Sequence, residues 1–310
     1  MRRRPALTAL VLALLVAATF LPGCSGVSAG FKNTTRDTDF SLMSVSALDA
    51  GTAWASGRVG AILAYGRTAG GIGQWVPQES GVTVDLKGIS AADSLHVWAV
   101  GQSGTILFND GRSWARQDSG TNIELTGVFA LDTSHVWACG WGQTLLFFDG
   151  KKWRGELPAG QPVLRSVSAS GPDSVWAVGS NGLVFHYNGK TWSKQESGTG
   201  SELTGVCAVS PGEAWACGLD GVLLHFAKGV WNMYHTGDEM FRGVAAGEGT
   251  VWVVGYRTQR MSLEPGTVVY ELKGRSFEKQ AIDQDLFPCG VSVAGAVWIA
   301  GLGGVVRCET

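Results

Sequence analysis

Two groups of side chains in this sequence are of types that could do chemistry. The first is aromatic and basic. Trp141 sits in the short run Gly140-Trp141-Gly142-Gln143, and Tyr256, Arg257 and Arg260 sit in an expanded run between Gly255 and Gly266. Asp220 occupies the matching short run Gly218-Leu219-Asp220-Gly221. Aromatic residues and arginine dominate recognition surfaces, because they combine contact area with many hydrogen-bond donors. The second group is acidic. Asp85, Glu124, Glu202, Glu239 and Asp285 each immediately precede the Leu or Met that opens a repeated segment. Carboxylates gathered in this way would form a negative ring able to attract a cation or a basic peptide. Two of them about 5–10 Å apart could also serve glycoside hydrolysis.

Other catalytic signatures are missing from the sequence. There is no His-Glu-x-x-His, no paired Cys-x-x-Cys and no Gly-x-Ser-x-Gly, so no metal ligand set, cofactor or serine nucleophile is expected. His186 and His225 recur at equivalent repeat positions, as do His96 and His135. A position repeated in this way reads as packing.

The elements that must position these residues come from an internal repeat. The unit reads Leu-x-Gly-Val-x-Ala, then Val-Trp-Ala-x-Gly, then Gly and three apolar residues, then Asp-Gly-x-x-Trp. Its tryptophans are Trp54, Trp98, Trp137, Trp176, Trp215, Trp252 and Trp298, at spacings of 44, 39, 39, 39, 37 and 46 residues. Each unit holds four short β-rich runs divided by Gly, Asn, Asp or Ser. Asp110-Gly111, Asp149-Gly150 and Asn188-Gly189 are hairpin turns that favour positive φ. Four strands per unit at this period predict an all-β, seven-bladed β-propeller. The last repeat stops after its third strand. Trp75, Trp114, Trp153 and Trp192 each lie 11 residues before the next blade's first Leu, and Phe31 lies 11 before Leu42. The N-terminal strand is therefore expected to complete blade seven and close the ring. The strand B to C and D to A loops then share one face, which carries the candidate residues.

The motifs Leu125-Thr126-Gly127-Val128-Phe129-Ala130, Val136-Trp137-Ala138 and Phe148-Asp149-Gly150-Lys151-Lys152-Trp153 resemble sialidase-type BNR-repeat propellers. More narrowly, they resemble photosystem II assembly-factor-like propellers. The resemblance covers about residues 31–310 and implies the fold. The turn differs from the Asp-box Ser-x-Asp-x-Gly-x-Thr-Trp, since here the Asp directly precedes the Gly.

Residues 1–23 read as an export leader: Arg2, Arg3 and Arg4, an apolar run from Ala6 to Phe20, then Leu21-Pro22-Gly23-Cys24. The run suits a signal h-region and is short for a spanning helix. The ending resembles a bacterial lipobox, which implies lipidation of Cys24, a tether over 24–30 and a propeller over 31–310. Losing three arginines takes the net charge from −2 to −5, which gives no electrostatic footprint for nucleic acid. Cys139, Cys207, Cys217, Cys289 and Cys308 remain, read mainly as small buried hydrophobes, with Cys207 and Cys217 able to be cross-strand neighbours. The expected protein is a monomeric, lipid-anchored, extracytoplasmic scaffold at a cell membrane or outer membrane. It would bind a protein or surface ligand without catalysis. The alternative is a glycan-active hydrolase or lyase with an acidic site.

Overall fold

The computed structural model describes residues 32–33, 41–67, 73–157, 160, 162–235, 237–247, 249–257, 266–273, 276–280, 282, 286–302 and 304–308. Cys24 with its leader and tether, Arg260 and Asp285 lie outside the described residues. The described strands form seven four-stranded antiparallel sheets, one per repeat. Blade 2 is typical: strand A is Leu86–Ala91, B is Val97–Gly101, C is Ile106–Asn109 and D is Trp114–Gln117. Blade 7 takes A, B and C from Pro288–Val293, Val297–Gly301 and Gly304–Cys308. Its fourth strand is Lys32–Asn33, with Lys32 opposite Arg307 and Asn33 opposite Val306. Among the described residues no helix is long and apolar enough to cross a membrane.

Burial follows the repeat. All seven strand-B tryptophans are buried, from Trp54 at 8% exposure to Trp176 and Trp298 at none. Each packs into a layer between its own blade and the next, as Trp98 does with Leu125, Val136 and Phe148. Strand A residues then couple the blades by hydrogen bonds. The Ser44, Ser90 and Ser168 hydroxyls accept the amides of Ile89, Ala130 and Ala208, and Ser292 accepts that of Ala47 across the ring's seam.

The glycine ending strand B has a specific cause. A Cβ on Gly101 would run into the carbonyl oxygen of Asp85, and one on Gly179 into that of Val163. The B to C loop folds so tightly over the start of strand A that only glycine fits. Cys207 pairs with Trp215 and Cys217 with Gly205, so the two cysteines are offset along the sheet and are not partners. Cys139, Cys207, Cys217 and Cys289 are free thiols. Burial pushes the Cys139 and Cys217 thiols up to about 12 and Cys207 up to about 11, which makes them inert packing groups.

Candidate functional site: the channel mouth

Every blade carries a bulge at the start of strand A. The register with strand B slips between Leu42 and Ser44, Leu86 and Gly88, Leu125 and Gly127, and Leu164 and Ser166. It slips likewise between Leu203 and Gly205, Phe241 and Gly243, and Pro288 and Gly290. A bulged residue has no ladder partner and its side chain is re-aimed. The seven bulged residues are Met43, Lys87, Thr126, Arg165, Thr204, Arg242 and Cys289, and together they line a mouth cavity of about 500 Å³. A narrower cavity of about 170 Å³ is lined by the same seven. This ring was not anticipated from the sequence. It is the variable x of Leu-x-Gly, and the signal that could have found it is Lys, Arg and Arg at alternate repeats.

The three cations are held by fixed partners. Lys87 Nζ lies 3.7 Å from Asp85. Arg165 Nε lies 3.1 Å from Glu202, and its guanidinium sits 5.8 Å from the centre of the Trp141 ring. Arg242 donates to the Tyr256 hydroxyl at 2.7 Å and lies 5.3 Å from that ring's centre. Trp141 and Tyr256 thus each brace a bulged arginine, and Trp141 is still 48% exposed. Thr126 and Thr204 donate to the next blade's Leu164 and Phe241 carbonyls at 2.7 and 2.8 Å.

The carboxylates are placed less evenly. Glu124 and Glu202 line the mouth. Asp85 accepts the Val59 amide of the neighbouring blade at 3.1 Å. Glu239 does not occupy the same repeat position. The residue opposite the strand-B glycine is Phe241 in blade 6 and Pro288 in blade 7, so Met240 and Phe287 stand where Asp85, Glu124 and Glu202 stand elsewhere. A one-residue slip turns a side chain to the other face of a sheet. Glu239 is accordingly fully buried, where Arg257 bonds its carboxylate and Tyr270 donates to it at 2.8 Å. Burial pushes the Glu239 carboxyl up, but the hydrogen bonds from Arg257 and Tyr270 outweigh it and hold the group below its ordinary value. Burial, then the hydrogen bond to Glu239 and its charge, pushes the Tyr270 phenol up to about 12. Arg257 is therefore committed to a buried pair while remaining partly exposed.

Asp220 has φ +58, the left-handed conformation also taken by Val59, Ser103 and Asn181 in other blades. Its carboxylate accepts the Ser201 hydroxyl at 2.8 Å. The histidines lie elsewhere. His186 and His225 stack on Trp176 and Trp215 at 3.9 and 4.0 Å. His96 and His135 bond Asp93 and Asp132 in turns on the opposite face. Among the described residues no group of three or more His, Cys, Asp or Glu could hold a metal ion.

No protein-family model matches this chain, and no curated protein matches it. Solved structures do. The chain is similar to YCF48 bound to D1 peptide, at 16% identity and a TM-score of 0.71, over 92% of this chain and 96% of that one. It is similar to YCF48 from Cyanidioschyzon merolae at 14% identity and a TM-score of 0.68, over 91% and 99%. It is also similar to the WD40 β-propeller domain of Doa1 at 11% identity and a TM-score of 0.71, over 91% and 97%. At these identities the likeness is one of fold.

Proposed function

We propose that this chain is a non-catalytic scaffold that binds a polypeptide partner with its channel-mouth face, while a lipid on Cys24 holds it to an envelope membrane. The observation that carries the reading is the ring of bulged side chains, three of them cations, beneath exposed Trp141 and Leu302. Rigid aromatics beside braced arginines are the usual anchors of protein interfaces. A solved neighbour of the same fold is described as bound to a peptide. A hydrolase would need two free carboxylates, whereas Glu202 is engaged by Arg165 and Glu239 is buried.

The direction of strand D in blade 7, taken with a lipid on Cys24, supports an outward-facing mouth. Lys32 lies opposite Arg307, near the end of strand C, so strand D of blade 7 starts towards the face opposite the mouth. Six residues separate Cys24 from Phe31 and span at most about 20 Å. The test is affinity capture from native membranes with the full chain. Trp141→Ala combined with Leu302→Ala should lose the captured protein, and Lys151→Glu with Lys152→Glu on the opposite face should keep it. Loss with the second pair and retention with the first would overturn the reading.

A further inference from the structure

The mouth has two unlike halves. Blades 6, 7 and 1 present Tyr256, Phe287, Cys289, Leu302 and Met43 to the cavity, with Arg242 of blade 6 on the border, whereas blades 2 to 5 present only charged groups and threonines. The apolar half is open to solvent: Leu302 is 45% exposed. Phe287 is held at φ +45, a conformation that bulky residues rarely adopt. Its ring lies 6.4 Å from that of Tyr256. Backbone held in this way beside a cavity is the pattern of a ligand clamp.

In the charged half the signs separate with depth. Glu124 and Glu202 line the outer cavity, but the narrower cavity is lined by Lys87, Arg165 and Arg242 with no carboxylate. Each cation is tied to one partner (Asp85, Glu202 or the Tyr256 hydroxyl). An ammonium has three donors and a guanidinium five, so donors are left over for a ligand. The ring contacts with Trp141 and Tyr256 restrain the two arginines before anything binds, which lowers the ordering cost of binding.

Resting on the scaffold reading, we infer that the mouth recognises a large apolar side chain lying directly beside a carboxylate on a polypeptide partner. The side chain seats on blades 6, 7 and 1, and the carboxylate turns to Lys87, Arg165 and Arg242. The carboxylate can be the partner's C-terminus or a neighbouring Asp or Glu.

The test is fluorescence anisotropy of the full chain with labelled Gly-Ser peptides. One ends in a free Phe, one in Phe amide and one in free Gly, and one carries an internal Phe-Asp with an amidated end. Free Phe, Phe-Asp or both should bind at least about tenfold tighter than Phe amide and free Gly. Which of the two binds identifies the carboxylate's source. Leu302→Glu should remove the advantage of Phe over Gly, and Lys87→Met should shrink the advantage of acid over amide. Equal binding of all four peptides, or no saturation below about 1 mM, would overturn the inference. If that happened while Trp141→Ala with Leu302→Ala still abolished capture, the scaffold reading would stand and this inference alone would fall.

Discussion

The two faces of the disc satisfy their polar groups in different ways. On the face of the A to B and C to D turns, each turn looks after itself. Asp93 accepts the amides of Leu95 and His96, Asp132 those of Ser134 and His135, and Asn188 those of Lys190 and Thr191. On the mouth face the bonds cross between blades. Asp85 reaches the Val59 loop, Glu202 reaches Arg165, and Thr126 reaches Leu164. Local turns can be exchanged one at a time. A face stitched from blade to blade holds its side chains in fixed positions, and that is what a recognition site needs.

The largest effect should come from breaking the ring that makes the stitching possible. A chain starting at Ser41 lacks Lys32–Asn33 and leaves strand C of blade 7 as an open edge. Its stability should fall by roughly 4 kcal/mol, out of a typical total of about 5–15. An unchanged melting temperature in a monomeric truncated chain would show that the seam does not matter.

A smaller effect separates glycines on the two faces. Gly101→Ala drives a methyl group into the Asp85 carbonyl and should cost about 3 kcal/mol. Gly229→Ala in a C to D turn meets open space at φ +81 and should cost about 1 kcal/mol. Denaturant unfolding distinguishes the two, and equal costs would remove the contrast.

Smaller again is the loss of single carboxylates. Glu239→Gln should cost about 1.5–2 kcal/mol at neutral pH, the low end for a charged hydrogen bond, because Arg257 stays partly exposed. Because the folded carboxyl titrates below its ordinary value, its stabilisation is present above about pH 4.5 and is lost as the pH falls further. The difference from wild type should therefore shrink in acid. Asp132→Asn, in a solvent-exposed turn that Asn can also cap, should change stability by less than about 0.5 kcal/mol. A pH-independent Glu239→Gln effect, or a larger Asp132→Asn effect, would invert the expected order.

The fold was legible because the residues that build it repeat. The strand-B tryptophans mark the interblade layers, and the glycines after them mark where the loop meets strand A. The site was only half legible. Trp141 and Tyr256 stood out as loop aromatics, and the structure sets them against Arg165 and Arg242. The ring itself was hidden, because the bulged position is the one that varies: Met43, Lys87, Thr126, Arg165, Thr204, Arg242, Cys289. A search for repeats discards that column as noise, and nothing local in Leu-x-Gly announces a bulge. Glu239 misled for a related reason. Blade 6 opens with Met240-Phe241, and taking Met240 for the usual Leu shifts the register by one residue, enough to exchange a mouth carboxylate for a buried one. Arg257 also reads as a free surface cation until its pairing with Glu239 is known.

The central claim is that the partner sits on the stitched face. Amide hydrogen exchange on the full chain, alone and with its captured partner, tests it most directly. Exchange should slow at Asp85–Lys87, Glu124–Thr126, 163–165, Glu202–Thr204 and 286–289, with the turns at Asp93–His96, Asp132–His135 and Asn188–Thr191 unchanged. Protection at those turns with none at the mouth would contradict it.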